Sequence, residues 1–379
     1  MSVSDRSRHA DRIREIALGC GFQRAGIATI GPSVTGRAFA RWIEEGAHAD
    51  MGYLERHAEL RMDPRTLLPS ARSVLCLAID YVPATGSGEP SGDFWPGVAR
   101  YARGNDYHAA FREKLGKVKD SIVEAFPGCE ARACVDTAPL LEREWAARAG
   151  LGAFGKNTNL LHPTAGSFFL LAELLLSLEL TPNLPVADLC GDCTRCLDAC
   201  PTGALTPYRL ESSRCISYWT IENRSDIPPE IREGMGKWVF GCDICQEVCP
   251  WNSDPVGDLL GEFATPPSRR DLDLAGVLCG DEVELRSRLR GTPLMRPKLE
   301  GLRRNAAIAM GNLRNPGYVE PLAEALESGS PMLRRHCAWA LGKIGTAEAK
   351  EILRQADLRD RVEPDPEQSS AASATLGPL

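Results

Sequence analysis

The residues with the clearest chemical potential are cysteines, because eight of the chain's fourteen lie between Cys190 and Cys249. The first run has the spacing of a bacterial ferredoxin, in which three thiolates bind one iron–sulfur cube and a fourth, before a proline, binds another. A second run has the end of this pattern without its leading cysteine, and Cys215 is the spare thiol nearby. The runs are Cys190-x2-Cys193-x2-Cys196-x3-Cys200-Pro201 and Cys242-x2-Cys245-x3-Cys249-Pro250.

The crossing rule of such runs divides the eight thiols between two [4Fe–4S] clusters with none left over. The first cluster takes Cys190, Cys193, Cys196 and Cys249, and the second takes Cys200, Cys215, Cys242 and Cys245. Zinc ribbons and disulfides are the alternatives, but a zinc site does not need the Cys-Pro step that occurs twice. The six other cysteines lie among apolar or small residues, which indicates core packing. They are Cys20, Cys76, Cys129, Cys134, Cys279 and Cys337.

Length and composition indicate a globular chain of two or three domains, at about 150 residues each. Of the 379 residues 43% are hydrophobic and 25% charged, which excludes a wholly disordered or fibrous protein. The N-terminal segment has no signal-peptide core, and the longest apolar run, residues 168–180, is too short and too charged to span a bilayer. We therefore expect a cytoplasmic protein without membrane association, in which clustered thiols bind metal rather than pair as disulfides.

Residues 1–180 combine strand and helix patterns and are predicted to form an α/β domain. Ser73–Tyr81 is a short apolar run between prolines and predicts a buried strand. Tyr107–Phe126 has apolar residues at helical spacing and predicts an amphipathic helix. A short strand over Cys134–Ala138 and a helix over Leu140–Ala149 follow.

Three further segments are predicted after residue 180: a ferredoxin-like domain over 181–260, helical repeats over 261–360, and a disordered tail over 361–379. The repeat prediction depends on Arg303–Leu313 and Arg334–Ile344, which are similar in sequence, each being an amphipathic helix closed by Gly. Paired helices at a fixed interval are typical of HEAT-like α-solenoids. Residues 285–345 carry eleven basic and four acidic side chains, whereas the whole chain has a net charge of −7.

Two short motifs resemble cofactor sites but lack part of their context. Gly150-x-Gly152-x-x-Gly155 follows a helical pattern instead of a strand, so we interpret it as a tight turn and not as a dinucleotide site. Asp106-x-His108 is similar to a cobalamin box whose final glycine is replaced by Phe111. His108 is therefore not predicted to be a cobalt ligand.

Several longer segments resemble the epoxyqueuosine reductase family, and the similarity covers nearly the whole chain up to the tail. They are Met51–His57 (MGYLERH), Arg100–His108 (RYARGNDYH), Val135–Arg143 (VDTAPLLER), Gly150–Lys156, Ala165–Phe169 (AGSFF), Arg214–Tyr218 (RCISY) and Cys249–Asn252 (CPWN). The resemblance also explains the separate position of Cys215.

The resemblance implies a base-off cobalamin in a nitroreductase-like α/β domain, because the family is related to reductive dehalogenases. Electrons would pass through the two clusters to the cobalt, and the epoxide oxygen would leave as water. Asp136 matches the family's proton donor. We expect such an acid to need a raised pKa, because an ionised carboxylate has no proton to give. Without the resemblance, Asp136 would be interpreted as a strand-end cap or an ion-pair partner.

Further residues in the matching motifs are implied to contact the cobalamin. Arg56, Lys156 and Ser217 are expected near its amides or its phosphate, and Arg143 is expected to bind phosphate or to lower the pKa of Asp136. Tyr101, together with Asp106 and His108, is expected to line the pocket. From the sequence alone, Arg56 and Lys156 would be solvated charges.

The implied substrate is a tRNA whose anticodon loop carries epoxyqueuosine. Such a substrate requires basic contacts to phosphate, and Arg303, Arg304, Arg334 and Arg335 of the repeats are predicted to supply them. A solubilising helical surface is the alternative. An external electron donor such as a flavodoxin or ferredoxin is also implied, and we expect a monomer.

Two other functions are compatible with cysteine runs of this kind. A reductive dehalogenase acting on small organohalides would share the cofactors, but the missing twin-arginine signal and the basic repeats disfavour it. An electron-transfer adaptor that docks partners on its repeats would have no cofactor in the first domain.

Overall fold

The fold is described by a computed structural model for residues 2–82, 93–254 and 263–362. Its strands are β1 (Arg24–Thr29), β2 (Ser73–Asp80), β3 (Ala131–Cys134), β4 (Ala153–Phe154), β5 (Leu160–Leu161), β6 (Phe169–Leu176), β7 (Leu205–Thr206) and β8 (Arg209–Leu210). Within those ranges, no helix combines the length and the apolar character needed to cross a bilayer.

A four-stranded sheet in the order β1-β2-β6-β3 forms the centre of the N-terminal part, and all of its pairings are antiparallel. The predicted strand over Ser73–Tyr81 is confirmed as β2, every residue of which is buried. Because both faces of the sheet are covered, β2 is apolar almost throughout instead of alternating. In the register, Cys76 and Cys134 both lie beside Glu173 of β6.

Helices cover both faces of this sheet. On one face, Ile13 and Phe111 belong to the same core as Leu75, and on the other face Trp145 packs with Val74. The predicted helix over Tyr107–Phe126 is confirmed. The helices of this part are α1 (Val3–Gly19), α2 (Gly36–Glu44), α3 (Gly52–Arg56), α4 (Ala58–Met62), α5 (Tyr107–Ala125) and α6 (Glu142–Arg148).

The segment between β3 and α6 differs from its prediction. The strand expected over Cys134–Ala138 ends at Cys134, and the helix expected from Leu140 begins at Glu142. The reason is visible at Asp136, whose φ of 30° lies outside the strand region of the backbone map. The residues between are therefore a turn, which carries Asp136 out of the sheet.

The cysteine-rich segment has little regular structure. Its helices are single turns or little more: α7 (Arg195–Asp198), α8 (Ile216–Ile221), α9 (Pro229–Arg232) and α10 (Ile244–Glu247). Several contacts fasten it to the first part of the chain; for example, Trp42 donates to the carbonyl of Leu210 at 2.6 Å and Tyr218 donates to Asp50 at 2.7 Å.

Paired helices form the C-terminal part, and the predicted repeat is confirmed. They are α11 (Leu274–Cys279), α12 (Glu282–Leu289), α13 (Lys298–Leu313), α14 (Val319–Ser328), α15 (Pro331–Ile344) and α16 (Ala347–Val362). The expectation that each copy closes at its Gly is wrong for α13, which continues past Gly311. A Cβ at Gly311 would meet Ala340 of α15 at 2.8 Å, so this glycine allows the two helices to approach closely.

The predicted tail lies outside the described residues from position 363 onward. Its first two positions, 361 and 362, are the end of α16.

Candidate active site

The turn after β3 presents Asp136 beside the start of α5. The Asp136 side chain is 50% exposed, and its Oδ2 lies 3.1 Å from Nε2 of His108. A positive φ is uncommon for a residue with a side chain, and such strained backbone tends to persist at functional sites. The turn therefore holds a carboxylate at the surface with one side fixed and the other open to a ligand.

His108 is held from both sides by carboxylates. Asp106 caps α5 by accepting from the backbone N–H of His108, and its Oδ1 lies 2.6 Å from Nδ1 of the same ring. These contacts with Asp106 and Asp136 raise the pKa of His108 to about 9. The ring is thus an imidazolium near neutral pH and donates to both carboxylates.

The same contacts favour the ionised form of Asp136. Hydrogen bonding by His108, with the Tyr107 hydroxyl acting in the same direction, lowers the pKa of Asp136 below its usual range. The raised pKa expected of a lone acid is therefore not found at this residue. Asp136 and His108 instead share one proton between them.

A second carboxyl lies behind the turn and has the opposite character. Burial, and then the charge of Asp136, raise the pKa of Glu142 to about 8. The Glu142 carboxyl accepts a backbone hydrogen bond from Asp136, and its Oε1 is buried with no hydrogen-bond partner among the described residues. We call Asp106, His108, Asp136 and Glu142 the acid site.

Three residues from distant parts of the chain surround the acid site. Arg296, just before α13, pairs with Glu222 at 2.7 Å and lies 5.8 Å from the centre of the Tyr53 ring. Arg61 is buried, and its Nη1 has no hydrogen-bond partner among the described residues. The charge of Arg61, on α4, acts on Glu142, and the charge of Arg296, just before α13, acts on Asp136. The C-terminal helices thus reach the Asp136 turn.

The eight clustered thiols fall into two groups in space. One cavity is lined by Cys190, Cys193, Cys196 and Cys249. The charge of Cys200 acts on Cys215, that of Cys215 acts on Cys242 and Cys245, and Cys245 also lies close enough for the charge of Cys196 of the cavity to act on it. The two groups therefore adjoin each other, and the ligand sets given by the crossing rule stay a prediction. None of the fourteen cysteines is disulfide-bonded in this structure.

The turn between β4 and β5 contacts both groups of thiols. The backbone N–H of Lys156 donates to Sγ of Cys190 at 3.3 Å, and Nδ2 of Asn157 donates to the carbonyl of Cys245 at 3.1 Å. The motif Gly150–Gly155 was predicted to be one tight turn, but β4 (Ala153–Phe154) lies within it, and the turn follows at Lys156. Its backbone holds the cysteine loops against the sheet domain.

Tyr101 connects the second thiol group with the acid site. Its ring centre lies 6.2 Å from that of Phe240 and 6.4 Å from that of Tyr107. Phe240 comes shortly before Cys242 in the chain, and Tyr107 precedes His108. Aromatic contacts therefore run from Phe240, two positions before the predicted ligand Cys242, to Tyr107 beside His108.

Three sequence families match successive parts of the chain. "Epoxyqueuosine reductase QueG, DUF1730" matches residues 61–137, "4Fe-4S double cluster binding domain" matches 189–252, and "HEAT repeats" matches 295–374. The epoxyqueuosine reductase of Pseudomonas aeruginosa is 39% identical over 91% of this chain and 97% of its own length. That of Escherichia coli is 35% identical over 89% and 90%.

This chain belongs to the epoxyqueuosine reductase family. Among solved structures, an epoxyqueuosine reductase crystallised with an epoxyqueuosine-modified tRNA-Tyr stem loop superposes with a TM-score of 0.82, at 31% identity over 94% of this chain and 95% of its own. The reductase of Bacillus subtilis, seen with its catalytic aspartate loop swung out of the active site, has a TM-score of 0.82 at 29% identity over 94% and 95%.

The residues that the family resemblance implied for cobalamin do not form one group. Lys156 donates through Nζ to the carbonyls of Gly191 and Cys193, and so holds the first cysteine loop. Arg143 donates to the carbonyl of Thr158, and Tyr101 is enclosed by aromatic rings. Arg56 is exposed, and Ser217 is half-buried beside Cys215.

The predicted basic face of the reductase repeats needs a correction. Arg304 is fully buried and donates to carbonyls of Trp219, Asn223 and Ser225. It cannot contact RNA there, because adjacent residues of a helix point in different directions and Arg304 points inward.

The other three arginines differ in their surroundings. Arg303 is half-buried and donates to the carbonyl of Gly280, Arg334 is half-buried, and Arg335 is exposed and pairs with Asp226 at 2.7 Å.

Sequence reasoning missed four residues around the acid site. They are Tyr53, Arg61, Glu142 and Arg296. Tyr53 and Glu142 lie inside motifs quoted for the resemblance, so their position in those motifs was an available signal. Arg296 lies far away in the chain, and no local pattern distinguishes it from a surface charge.

Proposed function

We propose that this chain reduces epoxyqueuosine to queuosine at the wobble position of tRNA. The observation that carries the proposal is the half-exposed Asp136, paired with His108 and connected through Tyr101 to the segment of Cys242. Reduction of an epoxide to an alkene consumes two electrons and two protons and releases water. The acid site supplies protons, and the two thiol groups bind the electron carriers.

The first [4Fe–4S] cluster is held by Cys190, Cys193, Cys196 and Cys249, and the second by Cys200, Cys215, Cys242 and Cys245. The match to a double-cluster family and the two spatial groups support this assignment. Backbone N–H groups of Lys156 and Ala204 donate to Cys190 and Cys200 Sγ, both at 3.3 Å. Such hydrogen bonds raise the reduction potential of a cluster.

Cobalamin fits the surroundings of the acid site in two respects. The unpartnered Nη1 of Arg61 can donate to a corrin side-chain amide, and exposed Arg56 can meet the phosphate of the nucleotide tail. His108 is already held by two carboxylates, so both of its ring nitrogens are occupied within the acid site. Bound there in a nitroreductase-like domain, cobalamin would supply the metal centre that breaks the carbon–oxygen bond.

Asp136 and His108 together act as the general acid at the epoxide oxygen. Asp136 is half-exposed and can contact the substrate, while His108 holds the proton at Nε2. As the epoxide oxygen gains negative charge it becomes the stronger base, so the shared proton moves to it through Asp136. Lys156 and Arg143 have positioning roles, since both bind backbone carbonyls.

The tRNA approaches from the C-terminal helices. Arg296 is exposed and its charge acts on Asp136, Lys298 is exposed at the start of α13, and Arg334 and Arg335 lie further along the repeats. A basic contact at each of these positions would bind phosphate without reading sequence. An external low-potential donor, a flavodoxin or ferredoxin, reduces the clusters of the monomeric enzyme in the cytoplasm.

Reconstitution with iron, sulfide and cobalamin tests the proposal. The protein should take up both clusters and one cobalamin, and should convert epoxyqueuosine in a modified tRNA when a low-potential reductant is present. Failure to bind cobalamin, or no conversion by the fully loaded protein, would refute the function. A matched small organohalide serves as the comparison substrate, and its reduction instead of the tRNA would favour a dehalogenase.

A further inference from the structure

Each turnover of the proposed reaction needs two protons, and the Asp136–His108 pair holds one. Asp136 is ionised by its hydrogen bond to His108, so it has no proton of its own to add. Once His108 has given up its proton, the pair has no further proton to donate. The second proton must come from another group close enough to reach Asp136 while the substrate covers the site.

We propose that Glu142, a half-buried carboxylic acid with one buried oxygen, stores this second proton and passes it to Asp136. The inference rests on the proposed function, and it goes beyond that function by naming the source of a proton. The geometry supports it, because Glu142 begins α6 at the other end of the turn that carries Asp136, close enough for the charge and the backbone of Asp136 to act on its carboxyl. Its Oε1 is buried without a hydrogen-bond partner among the described residues, as expected of an acid that keeps its proton.

No ion pair in the described residues keeps Glu142 ionised. The neighbouring guanidinium of Arg143 is drawn away to the carbonyl of Thr158. Arg61 acts on Glu142 only at longer range. Beneath it lies Glu173, which is fully buried and has no hydrogen-bond partner for either carboxyl oxygen among the described residues.

The surroundings of Glu142 are mostly acidic or neutral. The charged and titratable groups that act on it or feel its charge come from every element around it: Arg61 of α4, Cys76 of β2, Tyr107 of α5, Cys134 of β3, Asp136 of the turn, Arg143 of α6 and Glu173 of β6. Burial raises the pKa of Glu173 well above its usual range, and it too stays neutral. Two nearby carboxyls whose pKa values are driven apart are typical of paired acid and base roles.

The proton balance is then complete. The imidazolium of His108 protonates Asp136, which protonates the epoxide oxygen as the first carbon–oxygen bond breaks. Without its cationic partner, Asp136 becomes a stronger base and takes the proton of Glu142. Asp136 delivers that proton to the same oxygen, which leaves as water while the alkene forms with two electrons from the clusters. Glu142 and His108 regain protons from solvent through half-exposed Asp136.

Infrared titration of the protein in H2O and D2O tests the protonation state directly, without cobalamin or substrate. We expect the carbonyl band of a protonated carboxyl that disappears with a midpoint near pH 8 and is absent from Glu142→Gln. Glu144→Gln is the matched control, since Glu144 is buried in the same helix but its pKa is lowered by Ser33 and Thr35. That variant should keep the titrating band. Its loss there, or its persistence in Glu142→Gln, would overturn the proposal.

Turnover of Glu142→Gln provides the second measurement. Gln still accepts the backbone hydrogen bond but has no proton to release, so kcat should fall roughly 10²-fold with the KM for tRNA unchanged. Glu142→Asp, which keeps a proton, should recover part of the rate. If Glu142→Gln loses its clusters, the titration of the unsubstituted protein decides, and the absence of a carboxyl titrating near pH 8 contradicts the proposal.

These outcomes separate the inference from the proposed function. A native protein that fails to convert the tRNA refutes the function, whatever the infrared titration shows. A native protein that converts it, beside a Glu142→Gln variant with the same kcat and the same pH profile, refutes only the role of Glu142.

Discussion

The cysteine-rich segment and the acid site differ in what determines the chemistry of their residues. In the segment, ligands follow one another at short intervals, and the residue type alone supplies the thiolate. In the acid site, His108 precedes Asp136 by 28 positions, and Glu142 differs from Asp136 only in its surroundings. Spacing therefore specifies the clusters, whereas folding specifies which carboxyl holds a proton.

The largest effect is expected from the isolated ligand of the cysteine-rich segment. Cys215→Ala should remove the second cluster and abolish turnover, because a cubane cluster needs four thiolates. Half of the bound iron should be lost, as measured by metal analysis and electron paramagnetic resonance. Cys279→Ala, which changes a half-buried thiol outside both groups, is the control. Full iron content in Cys215→Ala would show that the crossing rule assigned the wrong ligands.

The acid site should respond differently, with its cofactors intact. Asp136→Asn keeps the shape of the side chain but cannot relay a proton, so kcat should fall by about 10²–10⁴-fold. Iron and cobalamin content should match the unsubstituted protein. Near-normal turnover would contradict the acid role of Asp136.

A protonated His108 makes the stability of the fold depend on pH. Because its folded pKa of about 9 lies above the usual value of 6.5, its contacts stabilise the fold fully below about pH 6.5, and this stabilisation is lost as the pH rises to about 9. The stability difference between the native protein and His108→Gln should therefore shrink over that interval. Anaerobic unfolding, followed by circular dichroism at several pH values, checks this. A difference independent of pH would mean that His108 is neutral.

The same difference, between patterns set by local spacing and properties set by folding, determines how much of the structure the sequence predicts. The β2 strand, the α5 helix and the helical repeat were readable because their patterns are local and regular. The turn at Asp136 was not, because a positive φ breaks the strand pattern without a glycine or a proline at that position. The pKa direction of Asp136 depends on His108 of α5, and that of Glu142 depends on burial and on Asp136, and no local pattern shows either.

The arginine pairs of the repeats show the same limit. Arg303 and Arg304 look alike in the sequence, yet only Arg304 is buried against carbonyls of the cysteine-rich segment. Its loss would leave those carbonyls without a donor. Arg304→Ala should lower the free energy of unfolding by on the order of 3 kcal/mol, measured by chemical denaturation.

Among these variants Arg335→Ala should have the smallest effect, and the effect should be on tRNA binding and not on stability. Arg335→Ala should leave stability nearly unchanged, because an exposed ion pair contributes little. It should weaken tRNA binding uniformly across sequences and reduce the salt slope by about 1. Filter binding at several salt concentrations measures both. Binding that is lost in Arg304→Ala while the fold stays intact, and unchanged in Arg335→Ala, would reverse the assignment of the two arginines.

The central claim is that reducing equivalents from the clusters and a proton relayed by Asp136 meet at one epoxide. Single-turnover analysis of the wobble nucleoside by mass spectrometry tests it most directly, with protein loaded with iron, sulfide and cobalamin and a low-potential reductant. In this assay the native protein should yield queuosine, and both Asp136→Asn and Cys215→Ala should leave the epoxyqueuosine unconverted. Equal conversion by the native protein and either variant, or none by the fully loaded native protein, would contradict it.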